Sequence, residues 1–284
     1  MSDKLIIHPA VLALEEEVAR YATQVSTLLE ERDHQLYHVG PSLKMAYLEK
    51  VGHLEYKVFE LECKVARMKR ACEMVQVAIN REQPIDFAEI ERKLDVEQAE
   101  YLKRLEHMSA DLERMEAWRQ ADVLSHAQMA ELKKKYRQLV KWLHPDVNPE
   151  LTEELQAIWR RVLVAYEENH LDMLSVLFDM VSTERDRTGG LASGNIAIEN
   201  VPSILESLQT RRDSLAAYVK KLIAELDGLR TRHPFTLLAF LEDDQQVEKR
   251  LAELQAFIKQ HEQALIEWTQ FLQLTQASRG PYLN

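Results

Sequence analysis

Apolar residues recur in alternating steps of three and four through most of this chain. That period suits an α-helix with one apolar seam and excludes a strand, whose side chains alternate every second residue. Val11, Leu14, Val18, Tyr21, Val25 and Leu28 form a first seam. Tyr47, Val51, Leu54, Val58, Leu61, Val65, Met68, Cys72, Val75 and Ile79 form a second. Val39-Gly40-Pro41-Ser42 between them reads as a break, because Gly ends helices, Pro cannot continue one and Ser can cap the next. Two seams joined by a short break predict an antiparallel hairpin over residues 1–82. On this register Cys72 takes a core position and Cys63 a solvent-facing one.

A second break around Pro84 precedes a third run through Ile90, Leu94, Tyr101, Leu105, Met108, Leu112 and Met115. Periodicity vanishes between Thr183 and Pro202, where Gly189, Gly190, Ser193, Gly194 and Asn195 fall, so residues 183–202 read as a linker. Beyond it, Ile204, Leu208, Leu215, Leu222, Leu226 and Leu229 mark one helix. Arg232-His233-Pro234 ends it, and Val247, Leu251, Leu254, Ile258, His261, Leu265, Trp268 and Leu272 mark the last. Residues 203–284 are therefore expected to form a C-terminal helical hairpin. The seams are read as folding back within the chain, with homo-oligomerisation through coiled coils as the other option.

Composition narrows the function. With Lys+Arg 36 against Asp+Glu 47, the net charge of −11 disfavours general binding to nucleic acid or to anionic membranes. Seven glycines and eight prolines are few, which argues against barrels, sandwiches and Gly-rich nucleotide folds. No apolar run reaches membrane-spanning length. The segment from Met1 to Pro9 lacks a secretory apolar core. On one helix Cys63 and Cys72 stand about 13 Å apart, beyond disulfide reach. These features predict a reduced, cytoplasmic protein. No phosphate loop, nucleophile elbow or metalloprotease motif occurs, so neither an enzyme nor a cofactor is expected. His34 and His38 have a zinc-compatible spacing, but no third ligand cluster accompanies them, and they read as surface histidines near a helix end.

One segment runs against the acidic background. From Glu131 to Leu143 there are five basic residues and one acidic. At about 100° per residue, Leu132, Tyr136, Leu139 and Leu143 share one stripe while Lys133, Arg137 and Lys141 form a basic stripe beside it. Such a patch suits an acidic protein partner. Pro145 stops this helix, leaving His144 and Asp146 at an exposed loop tip. Thr152 can cap a following helix whose first turn carries Glu153 and Glu154. Leu155, Trp159, Val162, Leu163 and Tyr166 face a core from that helix. Trp142 lies off the main stripe and is expected to pack on a neighbouring helix.

Tyr136-Arg137-Gln138-Leu139, four residues and then His144-Pro145-Asp146 resembles the J-domain of DnaJ-type co-chaperones over roughly residues 120–180. In that family two antiparallel helices flank a His-Pro-Asp loop. The resemblance implies docking on an ATP-driven heat-shock chaperone of the DnaK type and stimulation of its ATP hydrolysis. It implies chaperone contacts by Lys133, Tyr136, Arg137, Lys141, His144, Pro145, Asp146 and Asn148, with no bond chemistry in the protein itself. The sequence departs from the family in three ways. It lacks the opening Tyr-x-x-Leu helix with its Leu-Gly turn, it has Val147 where a basic residue is usual, and it lacks Gly/Phe-rich and zinc-binding segments. The third helix is expected to replace the missing one by running into the domain. The fold expected is all-α: long antiparallel coiled-coil helices with an embedded J-domain-like helical hairpin. Residues 83–182 would hold the long helix and the divergent J-domain, with its loop at 144–146. The function expected on that architecture is a co-chaperone whose coiled-coil arms hold an unidentified client or partner. The alternative is a structural coiled-coil scaffold with a non-stimulating J-like domain.

Overall fold

The computed structural model describes residues 9–120, 124–188 and 201–277. Among these the chain is helical and divides into two units, Met1–Ser42 with Asp122–Thr236 and Leu43–Ala121 with Leu237–Asn284. The helices are α1 (Pro9–His34), α2 (Gly40–Tyr47), α3 (His53–Asn80), α4 (Phe87–Glu97), α5 (Ala99–Gln120), α6 (His126–Leu143), α7 (Glu153–Glu167), α8 (Leu171–Thr188), α9 (Val201–Leu229), α10 (Leu237–Glu242) and α11 (Asp244–Ala277).

The expected break at Val39-Gly40-Pro41-Ser42 is a π-helical turn. Residues Gln35–Val39 wind with one extra residue per turn, and the Gly40 N–H donates to the Gln35 carbonyl. Pro41 has no N–H for the Tyr37 carbonyl, and a widened turn is a known way for a helix to absorb that loss. Gly40 suits the place for a second reason. A Cβ there would stand 3.3 Å from both the Gln35 carbonyl and the Phe235 ring.

The first unit packs α1, α6, α7, α8 and α9 around one core. Val18, Val25 and Leu29 of α1, Leu132, Tyr136, Leu139, Val140 and Leu143 of α6, Trp159, Val162 and Tyr166 of α7, Leu174 and Leu177 of α8, and Leu215 and Leu222 of α9 all belong to it. α1 lies along α9 and also contacts α6. The α7–α8 turn closes as a Schellman motif: His170 N–H reaches the Ala165 carbonyl at 2.8 Å, and Asn169 N–H the Tyr166 carbonyl at 3.2 Å. Asn169 takes the left-handed conformation that motif needs, at φ 58°. This reversal lays α8 against α6, where Trp142 stacks on Phe178 at 5.4 Å.

The second unit is built on α3, which packs along α11 and also against α4 and α5. Ala71, Val75, Ile90 and Leu94 form a small core there. Asp86 caps α4 by accepting from the Glu89 N–H at 2.9 Å. Because α3 has neighbours on two sides, Cys63 is buried along with Cys72. The single-seam reading had left it facing solvent.

The fold is thus all-α as expected, but the coiled-coil part of that expectation is overturned. α1 and α3 do not pair with each other, and neither do α9 and α11. Each packs into a helix bundle, and the first unit has a tightly packed, buried aromatic core. The function assigned to that architecture falls with it: among the described residues there are no free coiled-coil arms for a co-chaperone to hold a client with, or for a scaffold to extend. The long third run is two helices, α4 and α5, that belong to the second unit, so it does not run into the unit that holds the His144-Pro145-Asp146 loop as expected. Within the first unit, α1 packs on α6 instead. The helix α8 extends to Thr188, into the expected linker. The linker's last two residues, Val201 and Pro202, open α9, and residues 189–200 lie outside the described residues.

Leu222 is fully buried in α9 within the core it shares with α1. Leu222→Ala is expected to cost about 2–5 kcal/mol and to lower amide protection in α1 and α9 together. Protection of α1 that stayed unchanged would show that α1 does not depend on this packing.

Candidate functional site

The site is built on α6, whose start and stop are both encoded locally. Ser125 and Gln128 form a capping box, with the Ser125 N–H donating to Gln128 Oε1 at 3.0 Å and the Gln128 N–H to Ser125 Oγ at 3.3 Å. At the other end His144 takes an extended conformation, φ −70° and ψ 128°, as a residue before proline prefers.

The loop after it is tied down by its own side chains. The Asp146 N–H donates to His144 Nδ1 at 3.1 Å. That nitrogen must be unprotonated to accept, so the neutral ring carries its hydrogen on Nε2. The His144 ring stands edge-on to Trp159 at 5.1 Å. Its side chain is 12% exposed, and burial holds its pKa below the usual histidine value, with Asp146 pulling the other way. Asn148 closes the loop, its Nδ2 donating to the Lys141 carbonyl at 2.9 Å and its N–H to the His144 carbonyl at 2.9 Å. Val147 is buried in the core, which explains an apolar residue where the J-domain pattern is basic. Arg211 of α9 donates to its carbonyl at 3.1 Å. Thr152 caps α7 as expected, accepting from the Leu155 N–H.

Asp146 alone of the triplet's two polar side chains stays well exposed, at 51%. It lies near the Tyr218 hydroxyl of α9, whose pKa is pushed up by burial and then by this carboxylate. Together they edge a cleft of about 1120 Å³ between the loop and α9, also lined by Asn148, Thr152, Arg211 and Lys221.

Tyr136 sits inward, as its place on the apolar stripe predicts and against the contact role that the resemblance implies, and Arg137 of the basic stripe is taken up within the unit. Tyr136 is wholly buried. Its ring stacks on Tyr166 at 3.7 Å and on Trp159 at 5.9 Å, and its hydroxyl donates to Asp33 Oδ2 of α1 at 2.6 Å. Burial and the Asp33 carboxylate push its phenol pKa far up, so it stays a neutral donor. Arg137 grips Glu30 of α1, Nη2 to Oε2 at 2.7 Å and Nε to the same oxygen at 3.2 Å. The Glu30 side chain is only 2% exposed. Lys133 is half-buried and lies near His34 and His38. Lys141 is exposed. The structure therefore gathers His144, Pro145, Asp146, Asn148 and Lys141 at one end of the hairpin. It turns Tyr136 inward and commits Arg137 to α1.

Sequence reasoning missed Glu30 and Asp33 as the partners of this face. The signal was faint: with Ser26 and Leu29 they lie on one face of α1, and acidic residues at such spacing resemble a solvated surface. His38 is buried and His34 half-buried, so neither is the surface residue expected. Their rings stand 5.3 Å apart, and His38 is buried edge-on to Tyr166 at 4.6 Å. Among the described residues no group of three or more His, Cys, Asp or Glu is placed to hold a metal ion.

Tyr136→Phe keeps the stack and deletes the donor to Asp33, leaving a buried carboxylate oxygen short of a partner. A loss of about 1–3 kcal/mol in urea unfolding is expected. Asn148→Ala, which frees the Lys141 carbonyl at an exposed loop, is expected to cost about 1 kcal/mol. Wild-type stability in Tyr136→Phe would show that the phenol contributes nothing to holding α1.

Compared with known proteins, the chain matches no family model, no curated protein and no solved structure.

Proposed function

We propose that the first unit is a protein-docking module, engaged through the His144-Pro145-Asp146 loop, and that its partner is an ATP-driven heat-shock chaperone of the DnaK type. The identity of the partner rests on the resemblance of this triplet and its flanking helices to a J-domain. The observation that carries docking is the construction of the loop. Asp146 is held at its tip with its carboxylate half in solvent, while His144 and Val147 on either side are packed inward. A preorganised loop of this kind pays little ordering entropy on binding. Lys141, exposed one turn back on α6, supplies a positive charge beside it for an acidic partner surface. Arg137 and Tyr136 are part of how the unit is held together, so their loss would weaken binding by weakening the fold. No projecting arm and no client-holding role belongs to this reading. The module acts by binding and carries out no bond chemistry, and the unbridged Cys63 and Cys72 accord with a cytoplasmic setting.

The test is titration calorimetry of the full chain into a DnaK-type chaperone with ATP bound, beside the Asp146→Asn and Lys141→Ala variants. Saturable binding is expected, weakened about tenfold or more by Asp146→Asn and severalfold by Lys141→Ala, with thermal unfolding of the variants unchanged. Binding unaffected by either substitution would remove the loop from the interface. No binding by the folded wild-type chain would remove the chaperone as its partner.

A further inference from the structure

Among the described residues, the buried side-chain polar atoms without a hydrogen-bond partner fall in one cluster. They are Glu30 Oε1, His34 Nδ1, both ring nitrogens of His38, and the Tyr166 hydroxyl. Such atoms are rare in folded proteins and usually mark a function or a stored cost. These lie where the C-terminal end of α1 meets α6 and α7. His38 sits in the π-helical turn Gln35–Val39, and interruptions of this kind in a helix are frequent at functional sites.

We propose that His34 and His38 form a proton-sensitive clasp that holds the end of α1 over the basic face of α6 when neutral and loosens it when charged. The groups around the two rings favour the neutral form. His38 faces His34 on its own helix, Lys133 on α6 and the Tyr166 ring on α7. His34 faces Lys133, with Glu31 opposing it from its own helix, and Glu30 lies one turn before it on α1. α9 meets α1 at Arg32, through Glu225 and Tyr218. A proton added to His38 thus places a second cation beside Lys133, on a ring whose nitrogens have no acceptor. What the clasp covers is specific: Glu30 and Asp33, the residues just before it, occupy Arg137 and the Tyr136 hydroxyl.

The sign follows from burial. Desolvation, then His34 and Lys133, lower the His38 pKa from the ordinary histidine value to about 4. The docked state therefore binds fewer protons than the released one. The hold of α1 is complete above pH ~6.5 and is lost progressively as pH falls towards about 4. At pH 5.5 the shift corresponds to a weakening of about tenfold.

The clasp does not depend on which partner docks, and it is tested without one. Amide hydrogen exchange of the full chain at pH 7.5 and 5.5, corrected for the intrinsic pH effect, reads it directly. Protection is expected to fall about tenfold in the end of α1 and in the facing part of α6, and to stay level in α3 and α11. His38→Phe keeps a ring against Tyr166 and cannot take up a proton there, so its loss of protection should be clearly smaller than that of wild type, with His34 as the clasp's remaining titratable ring. A wild-type chain with no pH-dependent loss, or a variant with the same loss as wild type, would overturn the proposal. The second result would assign the response to His144 or to carboxylates. Should His38→Phe not fold, the His38 ring is followed by NMR titration of the wild-type chain. A midpoint below pH 5 supports the clasp and a midpoint near the ordinary histidine value sinks it.

Discussion

The hydroxyl of Tyr136 reaching Asp33 beneath a stack of aromatic rings is the contact that most of the first unit is arranged around. The ring lies against Tyr166 and Trp159, so one side chain joins α6 to α7 by its face and α6 to α1 by its edge. Aromatic pairs of this kind contribute about 0.5–1.5 kcal/mol beyond the area they bury. A buried phenol without an acceptor would forfeit much of that gain. Asp33 supplies the acceptor, and Arg32 in turn pairs with Asp33 at 2.7 Å. The Tyr136 hydroxyl is therefore satisfied by a helix distant in sequence, which makes α1 part of the hairpin's own core.

That arrangement resolves the charge of α6. A basic stripe on an acidic chain looks like a surface waiting for a partner, yet Glu30 and Asp33 already meet part of it. Glu30 is buried, and an acid buried against an arginine that is half in solvent trades a desolvation cost for two charge-assisted hydrogen bonds onto one of its oxygens. Lys141 and Asp146, by contrast, remain at the far end of the hairpin, where the loop is stiffened by His144, Asn148 and the Arg211 contact from α9. The unit separates a closed half of its basic helix from an open half.

The heptad pattern misled for an identifiable reason. An apolar seam says that a helix buries one stripe; it does not say against which helix, or whether a second side is buried too. α1 and α3 each have two sets of neighbours, and the second contact is made through residues that do not look apolar in sequence: Ser26, Glu30 and Asp33 on α1, Cys63 on α3. The Gly40-Pro41 pair misled similarly. Gly and Pro end most helices, but a π-helical turn accommodates both, and the chain stays helical where a hairpin turn was expected.

The sequence by itself determined the helical class, the capped ends of α6 and α7, the position of the His-Pro-Asp loop and the inward set of Leu132, Leu139, Leu143, Trp159, Val162 and Tyr166. All of these follow from short-range rules: periodicity, capping chemistry and the backbone limits of proline. The tertiary structure decided which helices pair, that Tyr136 and Arg137 serve α1, that Val147 belongs to the core and that His38 is enclosed beside a half-buried His34. Those outcomes depend on contacts between residues as far apart as Asp33 and Tyr136. Such contacts are chosen by the fit and hydrogen-bonding of whole faces, which no local pattern encodes.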